Sequence, residues 1–113
     1  MTEQTLKHCM ALCKECAEAC EGCAIACEAE ANPMMRHCIE LDMDCADFCR
    51  LTASFIARDS DFVELACQDC AEICTACAEE CEQHPAAAHC RKCADACRAC
   101  AEECLKVGAA VLA

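Results

Sequence analysis

Small apolar residues recur along the chain at steps of three and four, and charged residues fill most of the positions between them. In the first third of the chain the recurring residue is cysteine, with steps of 4, 3, 4, 3 and 4 from Cys9 to Cys27. Steps that average 3.6 residues return to one face of an α-helix. The pattern therefore predicts an amphipathic helix whose apolar face is a stripe of thiols.

Similar stripes follow further along, so four helices are predicted. The third and fourth stripes are as dense as the first, and the second is sparser. The first, second and fourth predicted helices cover about residues 4–31, 34–58 and 86–107, and the third ends near residue 83. The stripes comprise Cys9, Cys13, Cys16, Cys20, Cys23, Cys27, Cys38, Cys45, Cys49, Cys67, Cys70, Cys74, Cys77, Cys81, Cys90, Cys93, Cys97, Cys100 and Cys104.

Polar residues, proline and glycine mark the predicted helix ends. Asn32 can cap the second helix, with Pro33 in its first turn. Asp61 and Glu64 have the spacing of a capping box for the third helix. Gly108 is a C-terminal stop signal for the fourth.

The second stripe is interrupted between Cys38 and Cys45. There the helical phase falls on Leu41 or Asp42. Of these two, we expect Leu41 to be the residue that faces inward.

The composition favours an all-α fold. The chain of 113 residues has two glycines, two prolines and three phenylalanines, and few β-branched residues from which to build a sheet. Its length suits one domain, residues 1–113. Short loops force neighbouring helices to run antiparallel. The prediction is an antiparallel four-helix bundle with a cysteine-lined core.

Chain order assigns different residues to the two ends of this bundle. One end should be closed by hydrocarbon, because Leu6, Ile56, Val63 and Val107 continue the stripes, with Phe55, Phe62 and Leu105 nearby. The other end, which we call the mouth, should collect Met34, Met35, His37, His84 and His89 beside Cys27, Cys38, Cys81 and Cys90. Thioether and imidazole are ligands for soft ions, although the same residues could simply fill a core gap or decorate helix ends.

The net charge of −12 disfavours nucleic acid and anionic membrane surfaces as partners. No secretory or membrane-spanning segment is recognisable, which predicts a cytoplasmic protein. Disulfide scaffolds belong mainly to secreted domains. Cβ atoms four residues apart on a helix are also about 5 to 6 Å from each other, whereas a disulfide needs about 3.8 Å.

The thiol stripes instead predict a metal store. Thiolates select soft ions, and Cu(I) accepts two sulfurs in a nearly linear arrangement, which a CxxxC pair can supply. One Cu(I) per displaced proton keeps a buried core neutral, so the capacity should be on the order of 10 to 20 ions per chain. A zinc or mixed-metal thiolate buffer and an iron–sulfur electron-transfer protein are disfavoured but stay open, and thiol–disulfide exchange is a weaker third alternative. No catalytic residue is predicted.

The density of in-helix pairs such as Cys9-Met10-Ala11-Leu12-Cys13 and Cys77-Ala78-Glu79-Glu80-Cys81 resembles the four-helix-bundle, cysteine-rich copper storage proteins. The resemblance covers essentially the whole chain. It implies storage of many Cu(I) ions, uptake at a Met- or His-lined end, and assembly into a homotetramer. Because no export signal is recognisable, the chain resembles the cytosolic branch of this family. Copper would pass to a copper chaperone or to a low-molecular-weight thiol.

Overall fold

The structure, a computed structural model, describes residues 2–109. It contains four α-helices, α1 (Glu3–Glu30), α2 (Arg36–Ala57), α3 (Val63–Glu82) and α4 (Ala88–Ala109). No strand occurs within residues 2–109. The all-α prediction is confirmed.

The helices form an elongated bundle of 43 × 22 × 18 Å. Helix α1 packs beside α2 and α4, and α3 packs beside the same two helices, so α1 and α3 face each other across the axis. The loops 31–35 and 83–87 lie at one end and the loop 58–62 at the other, as expected for antiparallel neighbours joined by short connections. Among the described residues, no helix is both long enough and apolar enough to cross a bilayer.

The connection between α1 and α2 follows the sequence signals in part. Helix α1 ends at Ala31, whose φ of 54° is left-handed. Asn32 Oδ1 then accepts a hydrogen bond from the Met34 backbone N at 3.0 Å, which confirms it as a cap. The capped element is one 3₁₀ turn, Pro33–Met35, and α2 begins only at Arg36.

The capping box predicted at Asp61 is wrong. Phe62 occupies the N-cap position of α3 and makes no side-chain capping bond. The chain reverses direction two residues before Asp61, at Asp59, which has a left-handed φ of 52°. Ser60 Oγ accepts a hydrogen bond from the Phe62 backbone N at 3.1 Å, just before α3, where Asp61 was expected to cap the helix.

The predicted bounds of α4 are also wrong at both ends. The helix starts at Ala88, two residues later than expected, because Ala87 N–H is committed to a turn with the His84 carbonyl at 3.1 Å. At its other end α4 continues through Gly108, which is buried against α3. Gln68 Nε2 donates to the Gly108 carbonyl at 2.9 Å. Glycine here permits close packing of two helices and does not stop one.

The end opposite the mouth is filled by hydrocarbon. Val63 and Val107 are buried, and Leu6 and Ile56 pack against the core from partly buried positions. Phe62, which was placed at this end by chain order alone, is 61% exposed. The residues that continue the stripes, together with Phe55, therefore close this end.

Candidate metal centre

The cysteine side chains form the centre of the bundle. All nineteen are buried, with relative exposures of 0% or 1%. Every one lies within residues 2–109, and none of them is in a disulfide. The prediction of a cysteine-lined core is confirmed.

Alanine brings the helices close enough for the sulfurs to meet. Ala17, Ala46, Ala71 and Ala94 are buried, one on each helix, and each follows or adjoins a cysteine of the stripe. A methyl group at these positions keeps the helix–helix separation small. The sulfur atoms can therefore reach one another from all four helices.

The sulfur atoms are in van der Waals contact and are not bonded. In six CxxxC pairs the two Sγ atoms lie 3.9 or 4.0 Å apart. Contacts between helices are as short, for example 3.6 Å from Cys45 to Cys74 and 3.7 Å from Cys38 to Cys81. A disulfide bond would be about 2.0 Å long. The two sulfur atoms of each of these CxxxC pairs are thus close enough to bind one metal ion between them.

The thiols also fall into groups of four whose ligand atoms all lie within 4.8 Å of one another. Neighbouring groups share members: Cys100 belongs to the first two, Cys16 to the second and third, and Cys20 and Cys97 to the third and fourth. Five of the groups are Cys13, Cys70, Cys100 and Cys104; Cys16, Cys49, Cys74 and Cys100; Cys16, Cys20, Cys45 and Cys97; Cys20, Cys77, Cys93 and Cys97; and Cys23, Cys27, Cys38 and Cys90. Candidate binding positions therefore overlap along much of the axis.

One carboxylic acid lies among the thiols of this core, at a position where a leucine was predicted. Asp42 has 0% exposure, while Leu41, expected inside, packs at the edge of the core. The Asp42 carboxyl takes the next position of the stripe and lies among thiols that donate to it. Its Oδ1 is 3.2 Å from Cys77 Sγ and 3.3 Å from Cys93 Sγ.

Burial favours the neutral form of several acidic groups in this core. It raises the pKa of the Asp42 carboxyl to about 10, and it raises the pKa of the Cys27 and Cys90 thiols as well. Low dielectric disfavours the charged form of each group. At neutral pH the metal-free core therefore holds these groups as neutral acids, and metal ions that bind must displace protons.

The structure separates the residues predicted at the mouth into inner and outer ones. Met35 is buried in the core with 5% exposure, whereas Met34 is 79% exposed. His37 is exposed in the first turn of α2. His84 in the loop 83–87 and His89 in the first turn of α4 are half-buried.

Both half-buried histidines lie beside a glutamate. His84 Nε2 is 2.9 Å from Glu80 Oε2 and hydrogen-bonded to it. His89 Nε2 is 3.1 Å from Glu30 Oε1, but the two groups are not aligned for a hydrogen bond. Imidazole nitrogens at this end of the thiol core are suited to bind a soft ion less tightly than thiolates do.

At the same end, one thiol reaches a surface pocket. Cys27 lines a pocket of about 700 Å³ together with Asn32, Pro33 and Arg36. Cys27 is also 3.9 Å from Cys90 Sγ, so the pocket borders the thiol core directly. The pocket thus ends at the edge of the thiol core, where Cys27 is 1% exposed.

Comparison with known proteins points to one family. The family model described as Csp, copper storage protein, matches residues 2–109. Among curated proteins, none matches the chain significantly.

Solved structures of high similarity carry the same description. The Cu(I)-bound Copper Storage Protein BsCsp3 superposes with a TM-score of 0.88 at 38% identity, over 92% of this chain and 98% of that one. Apo copper storage protein 3 from Bacillus subtilis gives 0.85 at 39% identity, over 90% and 97%. A cytosolic copper storage protein from Streptomyces lividans, loaded with five coppers, gives 0.87 at 37% identity, over 95% and 94%.

Proposed function

This chain belongs to the Csp family of copper storage proteins, and from that premise we propose that it stores Cu(I) on the nineteen cysteines of its core, takes the ions up at the mouth and releases them there. Its role as a copper storage protein follows from the family and from its likeness to Cu(I)-loaded relatives. The residues that bind the metal and the route that it follows are our assignment.

The observation that carries this assignment is the continuity of the sulfur contacts. Cys16 Sγ lies within 3.9 Å of sulfurs on α2, α3 and α4. Contacts of 3.6 to 3.9 Å continue from Cys16 to Cys20 and Cys93, and the Asp42 carboxyl joins Cys93 to Cys38 at the mouth. Toward the closed end, Cys16 and Cys100 belong to one group whose ligand atoms lie within 4.8 Å of one another, and Cys100 contacts Cys13 and Cys104. An ion held by one pair of thiols can form a bond to the next pair before it leaves the first, so it can move without leaving the core.

Charge balance sets the capacity. A protonated thiol is neutral, and each Cu(I) that replaces one proton preserves that neutrality. Filling toward one ion per thiolate therefore avoids a buried net charge. We propose a capacity on the order of 10 to 20 ions per chain, bounded by the thiol number and the low coordination number of Cu(I).

At the mouth, we propose Met35, His84 and His89 as transient ligands, with Cys27 as the first thiol to receive an ion. The support is the burial of Met35, the half-buried positions of His84 and His89 at the same end, and the pocket that Cys27 lines. We assign Met34 and His37 to an outer position, since both are exposed at the same end and could make the first contact with a donor. Neutral thioether and imidazole ligands bind soft ions less tightly than thiolates and so favour inward transfer.

We propose that the chain acts by binding alone, as one domain over residues 1–113, in the cytoplasm. The matched Streptomyces lividans protein is described as cytosolic, and reduced thiols of this density are compatible with a reducing compartment. The proposed partners are a copper chaperone or a low-molecular-weight thiol, which would withdraw copper by ligand exchange.

We also propose a homotetramer. Several large apolar side chains are exposed on the outer faces of the bundle, including Ile25 at 63%, Met43 at 57% and Leu65 at 54%. A pocket between α2 and α3 is lined by five apolar residues, among them Leu41 and Phe48, together with Asp44 and Asp47. Exposed apolar area of this kind is typical of surfaces that associate. Light scattering on the purified chain measures the assembly directly.

The test of storage is an anaerobic titration of the reduced full-length chain with Cu(I) in competition with a calibrated chelator. We expect roughly 10 to 20 ions per chain to resist the chelator. The control is the same chain with its thiols alkylated after unfolding, which should retain none. Tight binding of only a few ions, or an iron–sulfur absorption spectrum in the protein as isolated, would contradict storage.

A further inference from the structure

We propose that Glu80 is a positioning residue for copper uptake: its carboxylate holds the His84 imidazole through Nε2, so that Nδ1 is the nitrogen that takes Cu(I) at the mouth. The inference rests on the proposed function, in which His84 is a transient ligand, and it adds a residue that itself touches no metal. Glu80 lies in the last turn of α3, and His84 lies in the loop 83–87 that follows.

The hydrogen bond between the two side chains determines which imidazole nitrogen is free. His84 Nε2 is 2.9 Å from Glu80 Oε2. A carboxylate has no proton to donate, so the hydrogen of this bond is on Nε2. A neutral imidazole carries a proton on only one nitrogen, and Nδ1 then keeps the lone pair that a metal needs. The pair therefore leaves Nδ1 as the available donor atom.

The low exposure of this pair makes it a stronger restraint than a surface contact. The side chains of His84 and Glu80 are 19% and 13% exposed. The ion pair between Lys7 and Glu3, by comparison, has side-chain exposures of 70% and 84%. A hydrogen bond is electrostatically stronger where little water surrounds it. Glu80 is therefore able to keep the imidazole ring in one orientation.

The backbone that carries His84 is also held in place. Its N–H donates to the Cys81 carbonyl at 3.0 Å, and its carbonyl accepts from the Ala87 N–H at 3.1 Å. The guanidinium of Arg91 on α4 donates to the Pro85 carbonyl, which ties the loop to the next helix. An imidazole whose backbone and ring are both restrained is a preorganised ligand and loses little conformational freedom when an ion binds.

The carboxylate also strengthens the imidazole as a ligand. A histidine that binds a metal commonly donates its other ring N–H to a carboxylate, which fixes the ring and makes the ligating nitrogen more basic. Glu80 and His84 have this arrangement before any ion arrives. His89 does not, because its Nε2 is 3.1 Å from Glu30 Oε1 without a hydrogen bond. Of the two half-buried imidazoles, His84 is the one that is oriented in advance.

A purely structural role for Glu80 makes a different prediction. Side chains four residues apart also pair to stabilise a helix, and that role would change the free energy of unfolding without concerning copper. A positioning role changes the rate of Cu(I) uptake, and it does so only while His84 is present. The dependence of the Glu80 effect on His84 therefore distinguishes the two roles.

The experiment is a double-mutant cycle on the reduced, full-length chain, in which stopped-flow absorption follows Cu(I) transfer from a chelating donor. If the two half-buried imidazoles together contribute about tenfold to the uptake rate, one of them contributes about threefold. We expect Glu80→Ala to slow uptake by about two- to threefold, and to slow it no further when it is added to His84→Ala. The matched control is Glu79→Ala, which removes the same charge at an exposed neighbouring position and should leave the rate unchanged.

NMR of the metal-free chain, labelled at the histidine nitrogens, observes the imidazole directly. At mildly alkaline pH we expect His84 to carry its proton on Nε2, with slow exchange against water, and Glu80→Ala to lose that slow exchange. Glu80→Gln keeps an oxygen that can accept the same hydrogen bond. This conservative variant should therefore retain the protected Nε2 proton and an uptake rate above that of Glu80→Ala.

Three results would overturn the inference: a proton on His84 Nδ1, an unchanged rate in Glu80→Ala, or a full further slowing when Glu80→Ala is added to His84→Ala. An unchanged rate in His84→Ala would overturn it as well, because Glu80 would then have no ligand to position. The number of Cu(I) ions bound should be the same in every variant, since none of them loses a thiol. Loss of Cu(I) storage in the unaltered chain would instead contradict the proposed function.

Discussion

The Sγ atom of Cys16 on α1 lies 3.9 Å from the Sγ atom of Cys74 on α3, on the opposite side of the bundle axis. Cys16 also lies 3.9 Å from Cys45 on α2 and 3.7 Å from Cys97 on α4. One thiol therefore contacts all three other helices, and no layer of hydrocarbon separates the stripes there. The interior that stabilises the fold is the same interior that would hold the metal.

A first prediction uses this central position. Cys16 is a member of two four-thiol groups, whereas Cys27 lies at the mouth beside Cys23 and Cys90. Replacing Cys16 by Ser should reduce the Cu(I) capacity by about two ions, and replacing Cys27 should reduce it by about one. The measurement is the number of ions that each variant retains against the chelator. An equal loss from both variants would show that sharing between groups does not matter.

A second prediction concerns uptake at the mouth. Replacing His84 and His89 by Ala removes the half-buried imidazoles and leaves every thiol in place. We expect Cu(I) transfer from a chelating donor to slow by about tenfold, the consequence of roughly 1.4 kcal/mol on the transfer barrier, with the final capacity unchanged. Stopped-flow absorption in the ultraviolet follows the formation of Cu–thiolate bonds.

The control for this experiment is His8→Ala, because His8 is exposed near the start of α1, at the opposite end of the bundle. Its uptake rate should match that of the unaltered chain. If all three histidine replacements slowed uptake alike, or if the mouth variant lost capacity as well, the assignment of the mouth would be wrong.

A third prediction follows from Asp42 and gives the metal-free protein a pH-dependent stability. The folded state raises the pKa of Asp42 to about 10, whereas an unfolded Asp has a pKa near 3.9. Between these values the folded chain holds a proton that the unfolded chain releases, so the stability contributed below pH 4 is lost as the pH rises.

Asp42→Asn cannot titrate and should lack this loss. Relative to that variant, the unaltered chain should lose up to about 4 kcal/mol of unfolding free energy between pH 5 and pH 8, at 1.36 kcal/mol per pH unit. Urea unfolding of the metal-free chains at both pH values measures the difference. Asp44→Asn, exposed on the same helix, should follow the unaltered chain. Parallel pH dependence of Asp42→Asn and the unaltered chain would contradict a neutral, buried Asp42.

A fourth prediction compares the two glycines. A Cβ added at Gly22 has no neighbour within 4 Å, so Gly22→Ala should stabilise the chain by about 1 kcal/mol through helix propensity alone. A Cβ added at Gly108 would lie 2.7 Å from Gln68 Cγ and 3.2 Å from Gln68 N. It would displace Gln68 from its hydrogen bond to the Gly108 carbonyl, so Gly108→Ala should destabilise the chain by about 1 to 3 kcal/mol.

Thermal unfolding of the metal-free variants provides the comparison. The midpoint should rise for Gly22→Ala and fall for Gly108→Ala. Shifts of the same sign would mean that propensity, and not the approach of α4 to α3, determines the effect at Gly108.

The sequence alone predicted most of the core because helical periodicity is strong when one residue type carries it. The steps from Cys9 to Cys27 and from Cys90 to Cys104 leave a single helical phase, and every cysteine so assigned is buried. The same periodicity contained the answer at Asp42, where steps of 4 and 3 join Cys38 to Cys45. The preference for burying leucine outweighed it and led to the wrong residue, Leu41.

The helix ends were less predictable because several local signals compete there. Asp61 has the spacing of a capping residue, but the left-handed Asp59 reverses the chain before Asp61 can cap α3. Gly108 resembles a stop signal, but contact with Gln68 on α3 determines its role. Which of the two adjacent methionines enters the core also depends on tertiary structure, since the 3₁₀ turn Pro33–Met35 buries Met35 and leaves Met34 exposed.

The most direct test of the central claim is a crystal structure of the full-length chain loaded anaerobically with about ten equivalents of Cu(I), with anomalous difference maps recorded at the copper absorption edge. About ten ions lie within the proposed capacity, on the order of 10 to 20 ions per chain. The loaded chain should therefore show a row of copper peaks along the bundle axis. Each peak should be bonded to two or three cysteine sulfurs. Copper peaks on the outer carboxylates, or an axis without copper between intact thiols, would contradict the account.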